Sequence, residues 1–70
     1  MNEKKYRVTT KFEIRYPHEI ISKVEYTNDF QAALGAYIIY IQDPETIFCT
    51  LDIAGKNNES LNIIAAFNTN

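Results

Sequence analysis

The chain is organised around one central segment, residues 28–42, whose apolar residues recur at helical spacing. Within it, residues 30–42 carry no charge. Asn28 can cap the first turn, and Gln31 lies three residues later, as in a capping box. Pro44 disfavours helical geometry in the residue before it, so we expect the helix to end near Gln42. A helix at this place leaves one segment before it and one after it, and their secondary structure has to be predicted separately.

Both halves show the period-two alternation of β-strands. The clearest case is the stretch of residues 6–16, which alternates strictly, and Pro17 after it suits a turn. Shorter alternating runs cover residues 20–26, 46–53 and 61–67. A short helix is the alternative for residues 20–26. The two halves are thus predicted to form two hairpins.

The order β-β-α-β-β predicts an α+β fold. We expect one domain over residues 1–70, with a four-stranded, mostly antiparallel sheet and the helix packed on one face. Residues 1–5 and 68–70 are expected to fray. The alternation does not determine the order of the strands in the sheet.

The predicted helix is apolar on two faces. One face gathers the residues expected in the core, namely Phe30, Ala33, Leu34, Tyr37, Ile38 and Ile41. The opposite face, where charged residues usually meet solvent, carries Ala32, Gly35, Ala36 and Ile39, bordered by Tyr40. A glycine inside a helix costs about 1 kcal/mol relative to alanine, and close approach of a second chain would account for it. We predict a homodimer through this face. The alternatives are a tolerated smooth surface or cover by another part of the chain.

A small domain of this length also favours self-association. Seventy residues are near the size at which one core only just offsets the entropy of the chain. The single cysteine, Cys49, excludes an internal disulfide. With one histidine, His18, it cannot form the usual four-ligand zinc site, so we predict no metal and no cofactor.

The charge pattern defines an alternative function. The net charge of −2 disfavours general nucleic-acid binding, yet residues 1–23 sum to +3 and the remainder to −5. If a nucleic acid binds, the phosphate contacts would come from the outer face of the first hairpin, through Arg7, Lys11, Arg15 and Lys23. Glu13, Glu25 and Asp52 would compete on that face, and no aromatic side chain is expected among the basic ones.

No pattern of catalysis is present. Cys49 falls in a buried strand position and His18 in a turn, so a Cys–His pair is not expected. Gly35 and Gly55 are isolated and form no phosphate loop. Asp43 and Glu45 form an acidic corner, a feature that is more often solvated surface than an acid–base pair. They are the candidate contacts to a basic protein partner, and an ordinary acidic surface is the alternative. We therefore predict that the chain is not an enzyme.

The predicted function is a non-enzymatic protein–protein interaction module. Small acidic domains of this kind often inhibit another protein, so we expect an inhibitor or antagonist. The abundance of Ile, Asn, Lys and Tyr, which accompanies AT-rich coding DNA, favours a phage or mobile-element protein that counters host defences. Residues 1–10 show no targeting signal, and no run approaches the roughly 20 apolar residues that span a bilayer, so we expect a cytoplasmic protein. A small-ligand carrier is a weaker hypothesis, because so short a chain leaves little volume for a pocket.

Overall fold

The computed structural model describes residues 5–57 and 59–69. The elements, in chain order, are strand β1 (Tyr6–Arg15), strand β2 (His18–Thr27), helix α1 (Phe30–Ile41), strand β3 (Thr46–Ala54) and strand β4 (Ser60–Asn68). The strands form one open antiparallel sheet in the order β2-β1-β3-β4, and α1 packs on one face of it. The α+β prediction is confirmed. The structure adds the strand order, in which β1 and β3 are central and β2 and β4 are edges.

The first hairpin turns through Tyr16 and Pro17, which are joined by a cis peptide bond. Its register places Val8 beside Glu25 and Thr10 beside Lys23. Because residues directly opposite one another share a face, Lys23 and Glu25 lie on the helix side of the sheet. The alternate residues of β2 therefore lie on the open face, namely His18, Ile20, Ser22, Val24 and Tyr26. Residues 20–26 are a strand, so the helix alternative is wrong.

The cap of α1 differs from the prediction by one residue. Asp29 is the N-cap, and its Oδ1 accepts a hydrogen bond of 3.0 Å from the backbone N–H of Gln31. The Oδ1 atom of Asn28 instead accepts from the backbone N–H of Lys5, also at 3.0 Å. The capping box is thus absent. Asn28 instead links the residue before β1 to the start of the helix. The helix ends at Ile41 with Gln42 as C-cap, as expected.

The expected fraying falls partly on residues 1–4 and 70, which lie outside the described residues. The remaining terminal residues are hydrogen-bonded. Lys5 accepts from the backbone N–H of Ala54 at 2.9 Å, and Thr69 donates its backbone N–H to the carbonyl oxygen of Ile47 at 3.1 Å. Lys5 and Thr69, at the two ends of the described range, are therefore hydrogen-bonded to the central strand β3.

The core is small and lies between α1 and the two central strands. Among the described residues, the buried hydrophobic ones are Val8, Ala33, Tyr37, Cys49 and Leu51. Phe30 and Ile38, which were expected in this core, are exposed by 39% and 42%. Ala36 and Tyr40 pack against the core instead, and the Tyr40 hydroxyl donates to Glu25 Oε2 at 2.7 Å and so finds a partner for its polar end.

Candidate interaction surface

Strand β4 forms an edge of the sheet and has no charged residue from Ser60 to Asn68. It pairs with β3 on one side, and no described strand pairs with its other side. Helix α1 packs mainly on β3 and β1, so it leaves much of β4 uncovered. Leu61 and Ile63 are exposed by 61% and 59%, and Ile64 is also exposed. We call these three residues and their strand edge the β4 edge.

Two irregularities shape the β4 edge. Leu51 pairs with Ala65 and Asp52 with Ile63, so Ile64 is an extra residue without a partner in β3. A second shift leaves Leu61 extra in the same way. Such bulges bend a strand and increase its twist. The bulges account for large exposed apolar side chains at consecutive positions, where a regular strand would place neighbouring side chains on opposite faces.

The opposite edge of the sheet is protected in the way that edges of natural proteins usually are. Strand β2 carries Glu19, Lys23 and Glu25 along its length. Charged residues on an edge strand discourage pairing with a second chain. The two edges therefore differ, and β4 is the one that lacks this protection.

The helix face predicted as a homodimer interface is only partly available. Ala36 and Tyr40 pack against the core of their own chain, and the Tyr40 ring meets Phe12 edge-on at 5.8 Å. Ala32 and Ile39 are exposed, Ile39 by 67%. A Cβ atom on Gly35 would meet no atom within 4 Å, so packing inside the chain does not require glycine there. The homodimer prediction for this face rests on those three residues.

An open groove runs beside that face, between α1 and β2. It has a volume of about 390 Å³, and its wall includes Val8, Glu25, Thr27, Ala32 and Ala36. Tyr26 also lines the groove, and Glu25 is the one carboxylate among these lining residues. That carboxylate is already bound by the Tyr40 hydroxyl and by Lys23 Nζ, the latter at 3.0 Å. The hydrogen bond from Tyr40, and then the bond and charge of Lys23, keep the pKa of Glu25 below its usual value against the opposing effect of burial. The carboxylate of the groove is thus already bonded within the chain and is a poor contact for a polar ligand.

The acidic corner between α1 and β3 has a local role. The Oδ1 atom of Asp43 accepts from the backbone N–H of Glu45 at 2.9 Å, and the Asp43 carbonyl accepts from Thr46 N–H at 3.0 Å. Asp43 and Glu45 are both exposed. These hydrogen bonds account for an aspartate at position 43 without contact to another protein. Contact of the two carboxylates with a basic protein stays a prediction.

The predicted basic face is divided between the two sides of the sheet. Arg7, Lys11 and Arg15 lie on the open face, whereas Lys23 lies on the helix side. The Nζ atom of Lys11 is 5.6 Å from the centre of the Phe48 ring. The expectation that no aromatic side chain lies among the basic ones is therefore wrong. Phe48 comes from β3, and only the β1–β3 register brings it beside Lys11.

At the centre of the open face, Arg7 forms a mostly buried ion pair with Asp52. Arg7 Nε donates to Oδ1 at 3.0 Å and Nη2 to Oδ2 at 2.6 Å, and the two side chains are exposed by only 15% and 7%. This two-point bond lowers the pKa of Asp52, although burial opposes the shift, and it raises the pKa of Arg7. Arg7 is thus committed to a partner within the chain and is a poor phosphate ligand.

The structure does not bring Cys49 and His18 together. Cys49 is fully buried on the helix side, 3.5 Å from Thr10 Oγ1, and burial raises the pKa of its thiol. His18 lies at the hairpin end of the open face, where its Nε2 is 2.8 Å from Glu13 Oε2. Across residues 5–57 and 59–69, no three potential metal ligands form a group. In the same residues, no helix has the length and apolar character needed to cross a membrane.

No protein-family model, no curated protein and no solved structure matches the chain.

Proposed function

We propose that this chain is a non-enzymatic protein-interaction module that binds another protein chain through the β4 edge. The single observation that carries the proposal is the long, uncharged edge strand β4, whose outer side pairs with no described strand and on which Leu61 and Ile63 are exposed. Unpaired backbone groups on a strand edge recruit a further strand, and apolar side chains beside them add affinity. The role that we propose for this binding is that of an inhibitor or antagonist, since a strand laid on another protein can block its surface.

The shape of the chain supports a role that depends on contact. Its radius of gyration is 12.5 Å, compared with about 11 Å for a compact domain of this length. More large hydrophobic side chains are exposed than buried among the described residues. A partner chain would cover part of this surface. The phage or mobile-element origin and the cytoplasmic location stay predictions.

Affinity capture from an extract of the native host tests the proposal. The wild-type chain is expected to retain a specific protein that the variant Leu61→Lys/Ile63→Lys releases, because two lysines on an edge strand block strand addition. Ile20→Lys is the matched control, since Ile20 is 55% exposed on the other edge strand. The proposal fails if the double variant retains the same proteins as wild type.

Nucleic-acid binding by the open face is the second candidate function. The contact between Lys11 and Phe48 favours it, because base stacking on an aromatic ring beside a cation is typical of single-strand binding. Two features weigh against it. Arg7 is paired with Asp52, and Lys23 lies on the opposite side of the sheet. Few cations therefore remain on this face to release counterions from a phosphate backbone.

A mobility-shift experiment decides between the two functions. At low salt, where electrostatic binding is strongest, we expect the chain not to retard single-stranded DNA or RNA. Retardation that weakens with Lys11→Ala or Phe48→Ala and with added salt would establish the open face as a nucleic-acid surface instead. Ile39→Ala, on the helix, is the control for nonspecific effects.

A further inference from the structure

We propose that the tip of the first hairpin is a second interaction surface, and that it inserts into a concave, acidic site on another protein. We call residues 14–19 the hairpin tip, and Lys11 borders it on the open face of β1. The inference goes beyond the proposed function, because β2 and β4 are opposite edges of the sheet. Either surface can therefore bind without the other.

The hairpin tip projects from the rest of the sheet. The register of β1 with β3 ends where Phe12 lies opposite Thr46. Beyond it, the backbone N–H of Glu13 donates to the carbonyl oxygen of Glu45 at 2.8 Å, and among the described residues the remainder of β1 pairs only with β2. The three residues of β1 after Phe12 extend the hairpin by about 10 Å. The molecule measures 42 Å along its longest axis and 22 and 19 Å across it. A narrow projection of this kind fits a concave site better than a flat one.

Tyr16 lies at the end of the hairpin tip and is 92% exposed, more than any other exposed large hydrophobic residue in the described part of the chain. Within that part, its ring contacts no other ring and its hydroxyl forms no hydrogen bond. Paired strands hold it in place, because the register of the hairpin extends to Arg15 and His18. A tyrosine on a rigid element loses little conformational freedom when it binds. Tyrosine and arginine are also the residue types that are enriched where interfaces gain most of their binding energy.

The charges on the hairpin indicate the chemistry of the partner. Lys11 and Arg15 lie on the same face of β1, about 13 Å apart, and neither forms an ion pair with another described residue. The carboxylate between them belongs to Glu13 and is bound by His18 at 2.8 Å. Glu19 lies on the opposite face of the hairpin. The hairpin therefore presents two cations without a carboxylate partner, in a chain whose net charge is −2. An acidic site on another protein is complementary to them.

The hairpin tip fits a protein better than a nucleic acid. Affinity for a phosphate backbone increases with the number of phosphates that cations neutralise. Two cations on a hairpin that also carries Glu13 and Glu19 provide little of this effect. In a protein cleft, a carboxylate can accept two hydrogen bonds from the guanidinium of Arg15, and an apolar wall can cover the ring of Tyr16. The partner site is therefore a cleft that combines carboxylates with an apolar wall.

Photo-crosslinking from the intact chain in its native host tests the inference. Tyr16→p-benzoylphenylalanine keeps an aromatic side chain at the tip, and on irradiation it is expected to bond to a protein at a segment that contains Asp or Glu. Adding Arg15→Glu is expected to reduce the yield of this adduct at least about tenfold, because a carboxylate would then face the acidic site. Lys56→Glu is the matched control, since it reverses an exposed lysine in the loop between β3 and β4. It is expected to leave the yield unchanged.

Titration of the trapped protein, once purified, with the full chain measures the contribution of the aromatic ring. Tyr16→Ala is expected to raise the dissociation constant at least about tenfold, and binding of wild type is expected to weaken as salt screens the charges.

The inference is overturned if Tyr16→p-benzoylphenylalanine yields no protein adduct, if it yields a nucleic-acid adduct, or if Arg15→Glu affects the yield no more than Lys56→Glu does. Loss of the adduct in the variant Leu61→Lys/Ile63→Lys would also overturn it, because the trapped protein would then bind the β4 edge. An adduct that persists in this variant, while the variant still captures the same host proteins as wild type, would support the hairpin tip and remove only the proposed function of the β4 edge.

Discussion

Replacing Asp52 with alanine is expected to lower the free energy of unfolding by about 3–5 kcal/mol, because it leaves a mostly buried arginine without its carboxylate. Arg7 and Asp52 are exposed by only 15% and 7%, so water cannot fully replace the lost bond. A domain of this length has roughly 3.5–10 kcal/mol of stability in total. The variant is therefore expected to be largely unfolded at moderate urea concentrations, as circular dichroism would show.

A double variant and an exposed pair provide the controls for Asp52→Ala. Arg7→Met/Asp52→Leu removes both charges and is expected to recover most of the stability, because apolar side chains can fill the same space. Glu13→Ala breaks the exposed pair with His18 and is expected to cost at most about 1 kcal/mol. If Asp52→Ala costs no more than Glu13→Ala, the Arg7–Asp52 pair does not stabilise the fold as proposed.

The same ion pair predicts how stability changes with acid. The pKa of Asp52 is lowered in the folded chain, chiefly by its bond to Arg7, so the pair stabilises the fold above the unfolded value of about 3.9. This contribution is lost as the pH falls through the lower, folded pKa. The pKa of Glu25 is also lowered, first by the bond from Tyr40, so it adds to the loss in the same range. Arg7→Met/Asp52→Leu should flatten this pH dependence only in part.

Replacing Leu51 with alanine is expected to cost about 2–5 kcal/mol, because it opens a cavity between the sheet and the helix. Leu51 is fully buried, lies beside Val8 on the central strand pair and faces the helix. So few side chains form this core that its neighbours can fill the space only partly. Urea titrations monitored by circular dichroism, at a concentration where the chain is monomeric, would measure the change.

The matched control for Leu51 is the other large leucine of the second hairpin. Leu61→Ala removes the same atoms from a side chain that is 61% exposed on the β4 edge. It is expected to change the stability of the monomer by no more than about 0.5 kcal/mol. Equal effects of the two substitutions would show that the core does not lie between α1 and the central strands.

The elements were predictable, because each has a local cause. Strict alternation in residues 6–16 predicts β1, and Pro44 predicts an end of α1 near Gln42, which is its C-cap in the structure. The choice between Asn28 and Asp29 as N-cap was not predictable, since both side chains suit the position and only the contact of Asn28 with Lys5 distinguishes them. Local patterns thus indicated the type of most elements, left a helix open for residues 20–26, and did not fix the terminal residues of each element.

The surfaces were predictable only in part, because they depend on register between distant strands. Helical spacing alone puts Ile38 in the core and Tyr40 at the border of the second helix face, yet Ile38 is exposed, and Tyr40 packs against the core and bonds to Glu25. Arg7 beside Asp52 and Lys11 beside Phe48 are cross-strand neighbours far apart in sequence. The apolar, uncharged composition of β4 was visible in the sequence. Its significance required the strand order, which makes it an edge.

The strand order also governs how the chain can fold. The two hairpins are joined through β1 and β3, so Tyr6 lies beside Ile53 and the centre of the sheet forms only when distant parts of the chain meet. Contacts that close such long loops slow folding relative to local ones. During synthesis, the first hairpin and the helix emerge before the strand that buries them. Until β3 arrives, the inner edge of β1 is as open as the outer edge of β4 is in the finished fold.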